Sequence, residues 1–146
     1  MLKSSFDKSV VHKIAWFISP HGFGHAARAS AVMDAIQKID PFVQYEIFTL
    51  VPLKFFQDSV SGISGYHSLL TDIGLVQKSP LSEDKDKTVN ALDEFLPFKS
   101  AQIDDLSAEL QKLKCDLVIC DIAPIGIAVA RKAGITDELA LKLWRR

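Results

Sequence analysis

The chain has 146 residues, of which 48% are hydrophobic and 24% charged, and it contains seven Gly and six Pro. This composition is typical of a globular domain and excludes a disordered tail, a collagen-like repeat and a coiled coil. Seventeen basic and eighteen acidic residues give a formal charge of -1, without the excess of basic residues expected of a nucleic-acid-binding protein. No signal peptide and no apolar run of about 18 residues is found, so we expect a cytoplasmic protein without a transmembrane segment.

Short apolar segments alternate with amphipathic ones along the chain. Residues 1–11 are polar, and we expect them to be flexible. Apolar or β-prone runs predict strands at residues 13–18, 43–51, 66–73 and 116–121. Helical spacing and Pro or Gly boundaries predict helices at residues 25–39, 52–60, 88–96, 101–113 and 125–133, with a polar loop at 76–87.

This alternation predicts an α/β fold, a Rossmann-like doubly wound parallel sheet over residues 12–135. The first and fourth strands are apolar on both faces, as expected when helices cover both sides of a sheet. After Gly134 the alternation of strands and helices predicts a fifth buried strand. Residues 136–146 instead indicate a short amphipathic helix capped by Thr136 or Asp137, so we expect a sheet that is incomplete at its C-terminal end.

The loop after the first strand contains GFGHAA, residues 22–27, which fits the dinucleotide-binding pattern G-x-G-x-x-A. Glycines allow a ligand to approach the backbone, and the free N–H groups of a helix start attract anions. The acidic residue that would hold the ribose of NAD is absent from the end of the second strand, where the sequence is TLVP. A Rossmann dinucleotide-binding domain therefore stays an alternative.

His21 and His25 flank the two glycines. Two histidines are too few for a metal site, so we expect none, and we expect no cofactor. Each histidine has a second interpretation, in which it only caps the helix or is solvated.

In the strand order 3-2-1-4-5, ligands bind where the order reverses, between the first and fourth strands. His25 and Asp121 follow those strands, so we expect them to face each other as a general base and its carboxylate partner. Asp121 has a second interpretation as the cap of the next helix.

Three segments resemble one family. The loop SPHGFGHAAR, residues 19–28, is similar to the HGFGHATR loop of GT-B glycosyltransferase-like proteins related to the N-terminal part of plant arabinokinase. Residues 72–84 resemble the D-x-G-x-V-Q motif of that group and the segment after it. Residues 115–124 resemble its D-L-V-x-x-D-x-x-P motif. The resemblance covers about residues 13–135.

The resemblance implies the N-terminal, acceptor-side domain of a two-domain protein that transfers a sugar from a nucleotide-sugar donor to an acceptor hydroxyl, usually without a metal. It implies His25 as the base and Asp121 as its partner. The same loop implies substrate-binding roles that we assign to His21, Gly22, Phe23, Gly24 and Arg28.

The chain departs from that family near its end, because no donor domain follows and residues 138–146 do not resemble it. We expect a truncated or frameshifted product that is inactive alone. The alternatives are a subunit of a split transferase, a non-catalytic ligand-binding or partner subunit, or a non-functional remnant. An open sheet edge also predicts self-association.

Overall fold

The computed structural model describes residues 12–139, in which strands and helices alternate. The strands are β1 (Lys13–Ile18), β2 (Gln44–Thr49), β3 (Ile63–Ser68), β4 (Gln77–Ser79), β5 (Ser82–Glu83), β6 (Leu117–Asp121) and β7 (Thr136–Leu139). The helices are α1 (Phe23–Ile39), α2 (Leu53–Gln57), α3 (Lys85–Phe95), α4 (Ser100–Leu113) and α5 (Pro124–Ala133). Within residues 12–139, no helix is long and apolar enough to cross a membrane.

Five strands form one parallel sheet in the order β3-β2-β1-β6-β7. Counted along the chain, β6 and β7 are the fourth and fifth strands of this sheet, so the observed order is the predicted 3-2-1-4-5. The Rossmann-like fold class is therefore confirmed. The strand order reverses between β1 and β6, which places the C-terminal ends of these two strands at the topological switch point.

The prediction of a helix beginning at Thr136 is wrong. Thr136–Leu139 forms β7, which pairs in parallel with Leu117–Cys120 of β6, so the fifth strand that we expected to be missing is present. Its polar sequence conceals the strand because an edge strand needs neither two apolar faces nor two neighbours, and charged side chains are common there. Gly134, in the left-handed conformation at φ 71°, ends α5 and returns the chain towards β6. The remainder of the predicted helix, residues 140–146, lies outside the described part.

Two apolar layers lie on opposite faces of the sheet. On one face, Trp16 and Ile47 pack against α1 and α2 in the layer that also contains Met33 and Phe56. On the other face, alternate residues such as Phe17 pack against α4 and α5 in a layer that contains Ala15, Phe48, Val118, Leu110, Ile125 and Val129. The alternation along β1 explains why this strand is apolar throughout, since each face has its own helical cover.

Several element boundaries differ from the predicted ones. The polar segment predicted as a loop contains the short antiparallel hairpin β4–β5. The helix predicted from residue 88 begins at Lys85, because the side chain of Asp84 accepts a hydrogen bond from the backbone N–H of Lys87 at 3.1 Å. β3 begins before its predicted start, with an irregular register opposite Tyr45 and Glu46. The sheet edges in the described residues are β3 and β7, and self-association stays a prediction.

Candidate functional site

The ends of β1 and β6 are joined directly. Ile18 pairs with Asp121, and the backbone N–H of Ser19 donates a 3.0 Å hydrogen bond to the backbone carbonyl of Asp121. The loop that follows β1 and the residues that follow β6 therefore leave the sheet side by side. This is the edge at which open parallel sheets bind ligands.

The structure brings His25 and Asp121 together at this edge. The Nδ1 atom of His25, in the first turn of α1, lies 3.2 Å from Oδ1 of Asp121. The Asp121 side chain is fully buried, whereas the His25 side chain is 25% exposed. A buried carboxylate on one ring nitrogen leaves the other nitrogen, Nε2, for an external group.

Arg28 occupies a third position in the same cluster. Its Nε donates to Oδ2 of Asp121 at 3.0 Å, and its Nη2 contacts Oδ1, so that the guanidinium holds both carboxylate oxygens. The hydrogen bond that Arg28 donates to Asp121 and the charge of that carboxylate raise the pKa of Arg28, outweighing the opposing effect of burial. Arg28 thereby neutralises a carboxylate that has no access to water.

The Nδ1 atom of His25 has two neighbours of opposite character. Oδ1 of Asp121 accepts hydrogen bonds, whereas Nη2 of Arg28, at 3.1 Å, only donates them. With a proton on Nδ1, His25 donates to Asp121 and Nε2 carries a free lone pair. With the proton on Nε2, Nδ1 accepts from Arg28 and the ring has no external lone pair. The balance between Asp121 and Arg28 therefore sets which tautomer is present.

His21 lies against the loop that follows β3. Its Nε2 donates to the backbone carbonyl of Asp72 at 2.8 Å, and a Cβ added to Gly74 would lie 2.5 Å from its ring. Beneath it, Thr71 donates to the carbonyl of Ile18 at 2.6 Å, and Ser19 donates to the Asp72 carboxylate at 3.1 Å. The observed contacts of His21 therefore hold two loops together, and its predicted substrate-binding role stays a prediction.

The two glycines of the loop differ in their backbone needs. Gly22 has φ 73°, a left-handed conformation that favours glycine, and it precedes α1 directly. Gly24 lies inside the first turn of α1 without a positive φ, and a Cβ there would meet nothing within 4 Å. Between them, the Phe23 ring is 62% exposed and stacks on Phe55 of α2, with 5.2 Å between the ring centroids.

Glu46, the acidic residue of β2, makes its contacts outside the His25 cluster. Glu46 points to the sheet face opposite α1, where it contacts Lys13, Ser64 and His67. The end of β2, at Thr49, contributes no carboxylate to the site. Across residues 12–139, no cluster of three or more His, Cys, Asp or Glu side chains is arranged to hold a metal.

A separate open groove of about 540 Å³ lies on the α3–α4 side of the molecule. Its lining combines apolar and charged side chains, which include Leu69, Phe95, Leu106, Glu94, Lys99 and Asp105. None of the predicted site residues lines this groove, so it is distinct from the His25 cluster.

The sequence predicts His25 beside Asp121, but it does not predict Arg28 as the second partner of that carboxylate. A signal was available, because residues three apart on a helix share one face and Arg28 follows His25 by three. The contact between Phe23 and Phe55 had no signal of this kind, since it joins two helices separated by a strand.

Comparison with known proteins bears on the fold. No protein-family model matches the chain, and no curated protein matches it in sequence. Among solved structures, it is similar to a UGT transferase from Siraitia grosvenorii in complex with UDP, with a TM-score of 0.53 and 18% identity. The match covers 87% of this chain but 27% of the transferase, so the chain corresponds to about a quarter of that protein.

The chain is also similar to the C-terminal domain of a hydrogenase from Pyrococcus furiosus, with a TM-score of 0.52 and 11% identity. That match covers 88% of this chain and 90% of the hydrogenase domain. At these identities both similarities show a shared Rossmann-like fold, of the kind found in GT-B transferase domains, and nothing finer.

Proposed function

We propose that residues 12–139 are the acceptor-side domain of a GT-B glycosyltransferase-like protein of the group related to the N-terminal part of plant arabinokinase. In this proposal the domain works with a second domain or subunit that binds a nucleotide-sugar donor. The contact that carries the proposal is Nδ1 of His25 at 3.2 Å from the buried carboxylate of Asp121, at the switch point of the sheet. The three sequence motifs and the similarity in fold to a transferase domain support it.

The chemistry is an inverting sugar transfer. Nε2 of His25 accepts the proton of an acceptor hydroxyl while that oxygen forms a bond to the anomeric carbon of the donor. The bond between the anomeric carbon and the diphosphate oxygen breaks, and the diphosphate leaves with the electron pair. Asp121 keeps the His25 proton on Nδ1 and stabilises the imidazolium that forms. The N–H groups of the α1 start attract the charge of the leaving diphosphate.

The test is transfer activity in a protein that carries this domain together with a donor-binding domain. His25→Ala is expected to lower kcat by about 10²–10⁴-fold, the usual contribution of a general base. Lys38→Ala is the matched control, because Lys38 lies on the same helix in an exposed ion pair with Asp34. This control is expected to keep full activity.

Full activity of the His25→Ala protein would overturn the assignment of the base. The dinucleotide-binding alternative has its own readout, which is a titration of the chain with NAD. Saturable NAD binding that depends on Gly22 would favour that alternative. The absence of an acidic residue at the end of β2 argues against this result.

A further inference from the structure

One flank of α1 is apolar and open to solvent. A groove of about 420 Å³ runs along it, and apart from Arg28 its lining is apolar: Ala31, Val32, Ala35, Ile36 and Ile39. Ile39 is 86% exposed, and Ala31 and Ala35 are exposed too. A single exposed apolar residue is common on protein surfaces, but a continuous row along one flank of a helix is typical of a contact with another element.

This flank faces the side of the sheet that carries β6 and β7. Two contacts fix the orientation of α1, because Phe23 stacks on α2, whereas Arg28 contacts Asp121 at the end of β6. Successive residues of an α-helix are about 100° apart, so Val32 and Ile39 lie within about 40° of Arg28 around the helix. The groove therefore faces away from α2 and towards β6.

The space beside this flank is not covered by a helix of residues 12–139. On this face of the sheet the apolar layer is formed with α1 and α2, whereas α4 and α5 pack on the opposite face. Thr136 of β7 is exposed and lies beside Leu117 of β6, which packs in the α1 layer. β7 is two strands from β1, a distance of about 10 Å. Packed helices have axes about 8–10 Å apart, so a segment above β6 and β7 would meet this flank of α1 directly.

The chain that follows β7 begins beside this groove. Leu139, the last residue of β7, pairs with Cys120, which directly precedes Asp121. β7 therefore ends at the sheet edge where Arg28 forms the start of the groove. The next residues, 140–146, have the sequence ALKLWRR and need no long connection to reach α1.

The sequence of residues 140–146 matches an apolar groove with an open outer side. At about 100° per residue, its four apolar side chains share one side of a helix and its three cationic side chains share the other. Two helical turns are about 10 Å long, and the groove from Arg28 to Ile39 is about 16 Å long, so the segment fits within it. A helix this short is unstable in water by itself and needs a surface to pack on.

We propose that residues 140–146 pack along this flank of α1, with their apolar side in the groove and their cationic side towards solvent. The covalent link favours this segment over a second copy of the chain, because a tethered group is present at a high effective concentration. The segment passes Arg28 first, so it closes the flank of the His25 cluster from the side of β7. This packing does not depend on sugar transfer and is independent of the proposed function.

The test is the position of the Trp144 indole in the full chain. Trp144→Phe identifies its NMR signals, since the chain has two tryptophans and the other, Trp16, is fully buried. We expect nuclear Overhauser effects between the indole protons of Trp144 and the methyl groups of Val32 and Ile39. We also expect the indole to be protected from quenching by acrylamide.

Ala35→Asp places a charge in the groove, where an apolar segment would bury it at a cost. This variant should lose the nuclear Overhauser effects and show a severalfold increase in the quenching of Trp144. Ala108→Asp is the matched control, because Ala108 is an exposed helical alanine of α4, on the opposite face of the sheet. The control should leave both measurements unchanged.

Trp144→Ser tests the same contact from the segment and changes no residue of the groove. It should shift the methyl resonances of Val32 and Ile39, whereas those of Val129, in the opposite apolar layer, should stay in place. A Trp144 indole without contacts to α1, or contacts that persist in Ala35→Asp, would overturn the proposal. Contacts found only between ¹³C-labelled and unlabelled copies would also overturn it, in favour of a second copy on this flank.

Discussion

The carboxylate of Asp121 has more neighbours than a simple base–acid pair requires. Arg28 holds both of its oxygens, and His25 shares one of them with Arg28. A carboxylate already matched by a guanidinium is a weaker acceptor for the Nδ1–H group of His25 than a free carboxylate, since the guanidinium charge offsets part of the carboxylate charge. Arg28 thus has two opposite effects. It stabilises the buried Asp121 carboxylate, and it weakens the hydrogen bond that Asp121 accepts from Nδ1 of His25.

Replacement of Arg28 separates these two effects. Arg28→Ala leaves the buried carboxylate with His25 as its partner, so we expect a loss of about 1–3 kcal/mol in unfolding free energy. We also expect a larger fraction of His25 with its proton on Nδ1, measured from the ¹⁵N shifts of the imidazole ring. Arg28→Lys keeps the charge but not the fork, and it should give an intermediate result in both measurements. Unchanged stability and an unchanged tautomer in Arg28→Ala would show that Arg28 is not a partner of this cluster.

At the scale of elements, the loop after β3 contacts the loop after β1 and so contributes to the shape of the site. Thr71 and Asp72 bind the end of β1 and the ring of His21, and Gly74 turns beneath that ring. This cross-link holds residues 71–74 against the site although they form neither helix nor strand. Two separate features favour glycine at position 74. Its φ is 60°, and a side chain there would collide with the ring of His21.

Two glycine variants distinguish these reasons. Gly134 has a φ of 71° and open space around it, so Gly134→Ala should lower the free energy of unfolding by about 1–2 kcal/mol, the energy of a left-handed alanine. Gly74→Ala should lower it by more, because the added methyl group also displaces His21. In a His21→Ala background the difference between the two variants should largely disappear, as measured by urea unfolding. Equal losses in the original background would show that the contact with His21 contributes nothing.

The elements also show what the sequence could predict. The buried strands β1 and β6 were predicted closely because both faces of each are apolar. The pairing of His25 with Asp121 followed from strand order alone. β7 was missed because an edge strand with Asp137 has no periodic signal. The contacts of Glu46 and the Phe23–Phe55 stack were missed because they depend on the strand register and on the position of α2, which no local pattern encodes.

Across the whole molecule, one buried charge joins three strands. Glu46 of β2 is 2% exposed and contacts Lys13 of β1 together with Ser64 and His67 of β3. Burial by itself would raise the pKa of Glu46, but the hydrogen bonds from His67 and Ser64 and the nearby charges of His67 and Lys13 lower it. The ionised form of Glu46 therefore stabilises the folded sheet.

The pH dependence follows from that direction. Because the folded pKa of Glu46 is depressed, its contribution is complete above the unfolded pKa of about 4.3 and is lost as the pH falls through the lower folded value. Glu46→Gln should lower the unfolding free energy by about 1–3 kcal/mol near neutral pH. The difference in unfolding free energy between Glu46→Gln and the unaltered chain, measured by urea unfolding, should decrease as the pH falls from about 5 to about 3. Asp34→Asn, at an exposed carboxylate, should differ little from the unaltered chain in unfolding free energy at any pH. A difference for Glu46→Gln that does not change with pH would contradict the stabilising role of the ionised Glu46.

The hydrogen bond from the Ser19 amide to the carbonyl of Asp121 has a consequence for hydrogen exchange. That amide lies at the ends of two neighbouring inner strands, so we expect its proton to reach water when β1 and β6 separate. Amides in such positions exchange through the largest unfolding events, while loops and edges exchange through small ones. The two strand ends that carry the site should therefore remain closed while the edges of the sheet open and close, and Ser19 provides a native probe of that difference.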